Sequence, residues 1–156
     1  MKAKDSIICN FEEIRRRSIK LWSAIPAMYY TWKPDEEAFS VLEMIRHVLE
    51  GEHLYHMIIT RKEQLNGYQS PWLKVEYVDL KKELAIAAPF RKRFIEMIQG
   101  VSDEDMTNII IERKECNQRY ELGNYLNRIA YHEAVHTGQM LDYLRTIGVP
   151  RSNIWD

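Results

Sequence analysis

Apolar residues recur at alternating spacings of four and three near the start of the chain. Ile7, Phe11, Ile14, Ser18, Leu21 and Ile25 form one stripe with a single polar break at Ser18. The pattern predicts a helix from about Asp5 to Ile25, limited by Pro26. A second helix is expected to begin between Pro34 and Ser40 and to end before Gly67, with Met44, Ile45, Val48, Leu49, Tyr55 and Ile59 on its core face. At 1.5 Å per residue it would be roughly 40 Å long. The connection that follows, NGYQSPWLKVEY, holds Tyr68, Trp72 and Tyr77. An aromatic loop of this kind is expected to fold back onto the core; a lid over a site is the alternative.

A third helix is predicted from Leu80 to Gly100, with Leu80, Leu84, Ala87, Phe94 and Ile98 inward and a kink or restart at Pro89. Ser102 to Asp105 resembles a capping box for a short turn. The β-branched run Asn108 to Lys114 suits extended chain, although no convincing sheet is predicted. The last helix should run from Leu122 to Ile147 and stop at Gly148 and Pro150, with Leu126, Ile129, Met140, Leu144 and Ile147 inward. Four long amphipathic helices imply an all-α, four-helix bundle formed as one domain over residues 1–156. The links between helices two and three, and three and four, are long enough that antiparallel neighbours are not required.

Composition narrows the function classes. Lys+Arg is 22 against 23 for Asp+Glu, a net charge of −1, so nothing electrostatic favours a nucleic-acid or membrane-surface partner. Arg15, Arg16 and Arg17 are read as a solvated helix face. No apolar run approaches the roughly 18 residues of a membrane span. The N-terminal residues lack the apolar region of a signal peptide, and Cys9 and Cys116 share no metal or disulfide spacing; a cytoplasmic protein is expected. Tyr29, Tyr30 and Trp32 are expected to pack at the end of the bundle.

The five histidines carry most of the chemical information. His132 and His136 are four apart on the last helix, which stacks two imidazoles on one face within reach of one metal ion. They lie near the expected core side, where unpartnered imidazoles would be costly. His132 to His136 also reads H-E-x-x-H, in which Glu133 would be the general base of a zinc protease. The residues after His136 include no His, Glu or Cys, the extended protease pattern fails at Gln139 and Asp142, and Asp142 should point away from the pair. A third ligand is therefore expected from another helix. His47 is the best candidate, beside Met44 and Val48, with Gly51 one turn on leaving space over that face. His53 and His56 point away from His47 and are expected to be exposed or at the rim.

Three neutral imidazoles leave a coordination position open, as in catalytic sites, and suit zinc or nickel. Gln139, one turn past His136, is expected to support a ligand or touch substrate. Glu133, rotated about 100° from His132, is expected to support the site or to lie at the surface rather than act as a base.

Two of these stretches are specific in combination. PDEEAFSVLEMIRHVLEGEHLY carries Ser-x-x-Glu-x-x-x-His ending at His47, and YLNRIAYHEAVHTGQMLDYLRTIG carries His-x-x-x-His-x-Gly-Gln. Together with a weaker pattern leading into IPAMYYTWKP, they make the chain resemble the DinB family, or DinB/YfiT-like superfamily. The resemblance implies an up-down-down-up four-helix bundle whose metal ligands match His47, His132 and His136. It also implies a metal-dependent transferase or hydrolase that brings a low-molecular-weight thiol, such as bacillithiol or mycothiol, to a small electrophile, and it implies a homodimer. Many members carry a basic residue after the last histidine, where this chain has Thr137. The alternative is a non-catalytic, damage-inducible bundle with a structural metal and no cavity beside it.

Overall fold

The computed structural model describes residues 3–61, 65 and 67–155. Its long helices are α1 (Ala3–Ser23), α2 (Val41–Arg61), α3 (Leu80–Gly100) and α5 (Leu122–Thr146). The short helix α4 (Asp105–Asn108) and a hairpin of β1 (Ile110–Arg113) and β2 (Gln118–Glu121) lie between α3 and α5. No helix among the described residues is long and apolar enough to cross a membrane.

Side-chain pairs give the helix directions. Arg15 meets Glu133 and Ser18 meets Thr137, so α1 and α5 run parallel. Arg46 meets Glu83 and Glu52 meets Arg91, so α2 and α3 are also parallel. Phe11 packs on Phe94 while Lys4 reaches the Gln99 carbonyl, so α1 opposes α3. His47 meets His132 while Tyr55 meets Tyr125, so α2 opposes α5. The bundle is up-down-down-up. Parallel α2 and α3 require the chain to return along the bundle, and the long link before α3 provides the length.

Local signals account for most of the helix boundaries. Helix α2 starts at the late end of the expected range because Asp35 Oδ1 accepts from the Glu37 and Ala38 amides, holding a turn. Ser40 and Glu43 then form a reciprocal capping box, and the expected extension toward Gly67 falls partly outside the described residues. Asp79 caps α3 through the Lys82 amide. Helix α3 continues through Pro89 without the expected restart. Pro89 and Ala85, whose carbonyl loses its partner, both lie on the exposed face, where that carbonyl is open to solvent. Ser102 caps the Asp105 amide at α4, as its sequence suggests.

The hairpin corrects the expectation of no sheet; Asn117, in the left-handed region at φ 52°, makes its tight turn. The aromatic connection folds back onto the core. Trp72 is buried and donates to Glu83, and Arg46 donates to the Val75 and Glu76 carbonyls. Tyr29, Tyr30 and Trp32 pack on the same core cluster, as expected.

Two expectations about polar residues are overturned. Arg15 is buried, in contrast to the exposed Arg16, because the face of α1 that packs against α5 and α3 runs through Phe11, Arg15, Ser18 and Trp22. His53 and His56 do point away from His47, but into the bundle against Phe90 and Phe94, since α2 packs against both α3 and α5. The polar break at Ser18 has a partner: its hydroxyl lies 2.9 Å from Thr137 Oγ1 in the core.

Candidate metal centre

The capping box at Ser40 fixes where α2 begins, and His47 follows two turns later on the face toward α5. His132 and His136 sit one turn apart on α5, opposite it. His132 Nε2 lies 3.0 Å from His47 Nε2 and 3.1 Å from His136 Nε2. One ligating atom from each of the three residues lies within 4.8 Å of the other two. The structure thus brings together the three histidines singled out in the sequence, from two antiparallel helices.

Gly51 makes the approach possible. A Cβ there would lie 3.3 Å from His132 Cε1, so the ring occupies the space a side chain would take. On the far side, Phe39 stacks on His47 with ring centroids 4.9 Å apart and planes at 28°. Its carbonyl accepts from Tyr143 Oη at 3.0 Å. Phe39 has no signal in the sequence beyond its place just before the α2 cap.

Gln139 lies against the ring of His136. Its Oε1 lies 2.6 Å from His136 Nδ1, and a carbonyl oxygen only accepts, so Nδ1 carries the proton and Nε2 offers a lone pair. Burial, then the nearby histidines, push the pKa of His132 down to about 4; burial, then His136, lowers that of His47. A neutral imidazole nitrogen is either donor or acceptor, so one proton on His132 Nε2 cannot serve both neighbours. Three converging imidazole nitrogens suit one shared cation: ligands about 2.0–2.1 Å from zinc lie roughly 3.3 Å apart in a tetrahedral site.

Glu133 belongs to a different assembly. It is buried, which corrects the surface alternative, and it turns away from the histidines toward α1. There Arg15 Nε and Nη2 donate to its two oxygens at 2.8 and 2.9 Å. Burial raises the Glu133 pKa, but the Arg15 charge and hydrogen bonds outweigh it and hold the carboxyl below its usual range. Arg15 also reaches Glu52, which pairs with Arg91. A carboxylate committed in this way cannot be the base of an H-E-x-x-H protease. Thr137 faces the same interior, against Ser18, so this position contributes nothing polar to the histidines.

A cavity of about 330 Å³ opens against His132 between α2, α5 and the hairpin. No sequence signal marks it, because its walls depend on how the hairpin folds back on α5 and on Tyr55 reaching it from α2.

The sequence matches the DinB superfamily over residues 10–140. The chain belongs to the DinB superfamily. It is 24% identical over 149 residues to YjoA of Bacillus subtilis, an uncharacterized protein, covering 95% of this chain and 93% of that one. Among solved structures, it is similar to the DinB-like protein YjoA of Bacillus subtilis, with a TM-score of 0.69, 21% identity and coverage of 93% of this chain and 95% of that one. It is also similar to Bacillus subtilis YfiT, described as a probable metal-dependent hydrolase with an unusual four-helix bundle topology. That match has a TM-score of 0.73 and 15% identity, covering 94% of this chain and 89% of YfiT. These DinB relatives share the fold that sets α2 against α5.

Proposed function

We propose that this DinB protein holds a divalent metal ion, zinc or nickel, on His47, His132 and His136 and uses it to activate a nucleophile against a small electrophile. The observation that carries the reading is the convergence of three Nε2 atoms, 3.0 and 3.1 Å from the central one, with no carboxylate in the cluster among the described residues. When bound, such an ion supplies Lewis acidity and lowers the pKa of a coordinated water or thiol.

The chain's own residues do the rest. Gln139 fixes the His136 tautomer, Phe39 fixes the His47 ring plane, and Gly51 admits His132. Three protein nitrogens leave room for the nucleophile, which we take to be a low-molecular-weight thiol of the bacillithiol type or a water. In thiol transfer, the sulfur forms a bond to the electrophilic carbon as the leaving group departs with its electron pair; the thiol proton passes to solvent. The cavity touches one of the three histidines, His132, which favours this reading over a metal enclosed by side chains on every side.

The test is metal analysis of the purified protein beside His47→Ala. About one equivalent of zinc or nickel is expected in the wild type, with loss in the variant; equal bound metal in both removes His47 as a ligand. Transfer assays with an alkylating electrophile and several thiols then read the nucleophile, and hydrolysis without thiol would identify water.

A further inference from the structure

Arg128 lies four residues before His132, so the two occupy successive turns of one α5 face. Both line the cavity, together with Tyr55 of α2, Tyr131 of α5, and Arg113 and Gln118 of the hairpin. Arg113 and Gln118 are directly opposed in the ladder, so their side chains leave the same face of the hairpin. Among the described residues, the cavity wall thus carries two guanidinium groups and no carboxylate. Arg113 is committed in part to Glu115, at 2.7 Å. Arg128 has no carboxylate partner among the described residues. Its guanidinium lies 4.4 Å from the centre of the Tyr120 ring, which orients the group without neutralising its charge.

We propose that this cavity binds the oxyanion-bearing end of a small amphipathic molecule, a carboxylate or phosphate attached to a ring or short carbon chain, and holds it against His132. Arg128 offers paired N–H donors that match two oxygens of such a group. Tyr55 and Tyr131 flank its apolar part, and Gln118 adds a neutral polar contact. That the remainder of the molecule is the reacting part rests on the metal reading above; binding of the acid end does not.

The test is calorimetric titration of the zinc-loaded full chain with benzoate, phenyl phosphate and the neutral benzamide, repeated on Arg128→Gln and His47→Ala. At least one of the two anions is expected to bind about tenfold or more tightly than benzamide. Arg128→Gln is expected to lose about tenfold for that anion, keep its affinity for benzamide and retain its metal. Whichever anion binds better identifies the oxyanion. His47→Ala is expected to keep the anion site, because Arg128 forms it. Equal binding of the anions and benzamide, unchanged affinity in Arg128→Gln, or loss of anion binding in His47→Ala alone overturns the proposal; the last result would place the anion on the metal. Arg128-dependent binding by a wild-type chain that holds no metal would sink the metal reading and leave this one standing.

Discussion

Gln139 Oε1 accepts from His136 Nδ1 at 2.6 Å, leaving the other ring nitrogen free to face His132. Partners of this kind orient metal-binding imidazoles and raise their basicity. Gln139→Leu is therefore expected to weaken zinc affinity by roughly 10–100-fold with all three histidines intact. Competition with a chromophoric chelator measures this. Gln139→Glu, which keeps an acceptor in place, should retain affinity.

Gly51 is buried against His132, and a Cβ added there, 3.3 Å from the ring, would force it to shift by a few tenths of an ångström. Gly51→Ala should lower metal affinity severalfold. In the metal-free protein the same change gains helix propensity, up to about 1 kcal/mol, so thermal stability without metal should hold or rise. Opposite signs in the two measurements are the expected outcome; unchanged metal binding would show that the ring does not need this space.

Glu133 and Arg15 form a buried pair. Glu133→Ala removes the two-pronged partner of Arg15 and leaves it only the single contact to Glu52, so it should destabilise the chain by about 2–3 kcal/mol in urea unfolding. Bound metal should stay at the wild-type level. Arg15→Met with Glu133→Leu should recover part of the lost stability, because the Glu52 carboxylate that Arg15 also contacts keeps Arg91 as its partner. Loss of metal in Glu133→Gln at unchanged stability would contradict the separation of this pair from the histidines.

Burial, then His56 and Arg93, lower the His53 pKa from 6.5 to about 4; burial, then Arg93, lowers that of His56. The unfolded chain protonates His53 near pH 6.5, while the folded chain resists that proton until about pH 4. The stabilising neutral state is therefore complete above pH 6.5, and its contribution falls as pH drops toward 4. Urea midpoints for His53→Phe should fall less than those of the wild type between pH 7 and pH 4.5. Parallel curves would show that His53 takes no part.

Much of this architecture is legible in the sequence because its signals are local. The stripe in α1, Asp79 before α3 and Gly148 after α5 each act within a turn or two of chain. The three histidines are legible for the same reason: spacing of four on α5, and a place on the α2 face toward the core. What the sequence does not show depends on which helix packs on which face. Arg15 looks like its two neighbours until α5 supplies Glu133. His53 looks like a rim residue until α3 places Phe90 over it, with centroids 4.2 Å apart. The hairpin is hidden because four-residue strands carry too little alternation to stand out.

Two of the three converging nitrogens belong to the last long helix, while the third sits on the second, 85 positions earlier. A ribosome must therefore make α3, α4, the hairpin and the first half of α5 before the histidines can meet. Until then the growing polypeptide holds only one imidazole of the set, so an ion shared by all three could not guide α1, α2 and α3 into place.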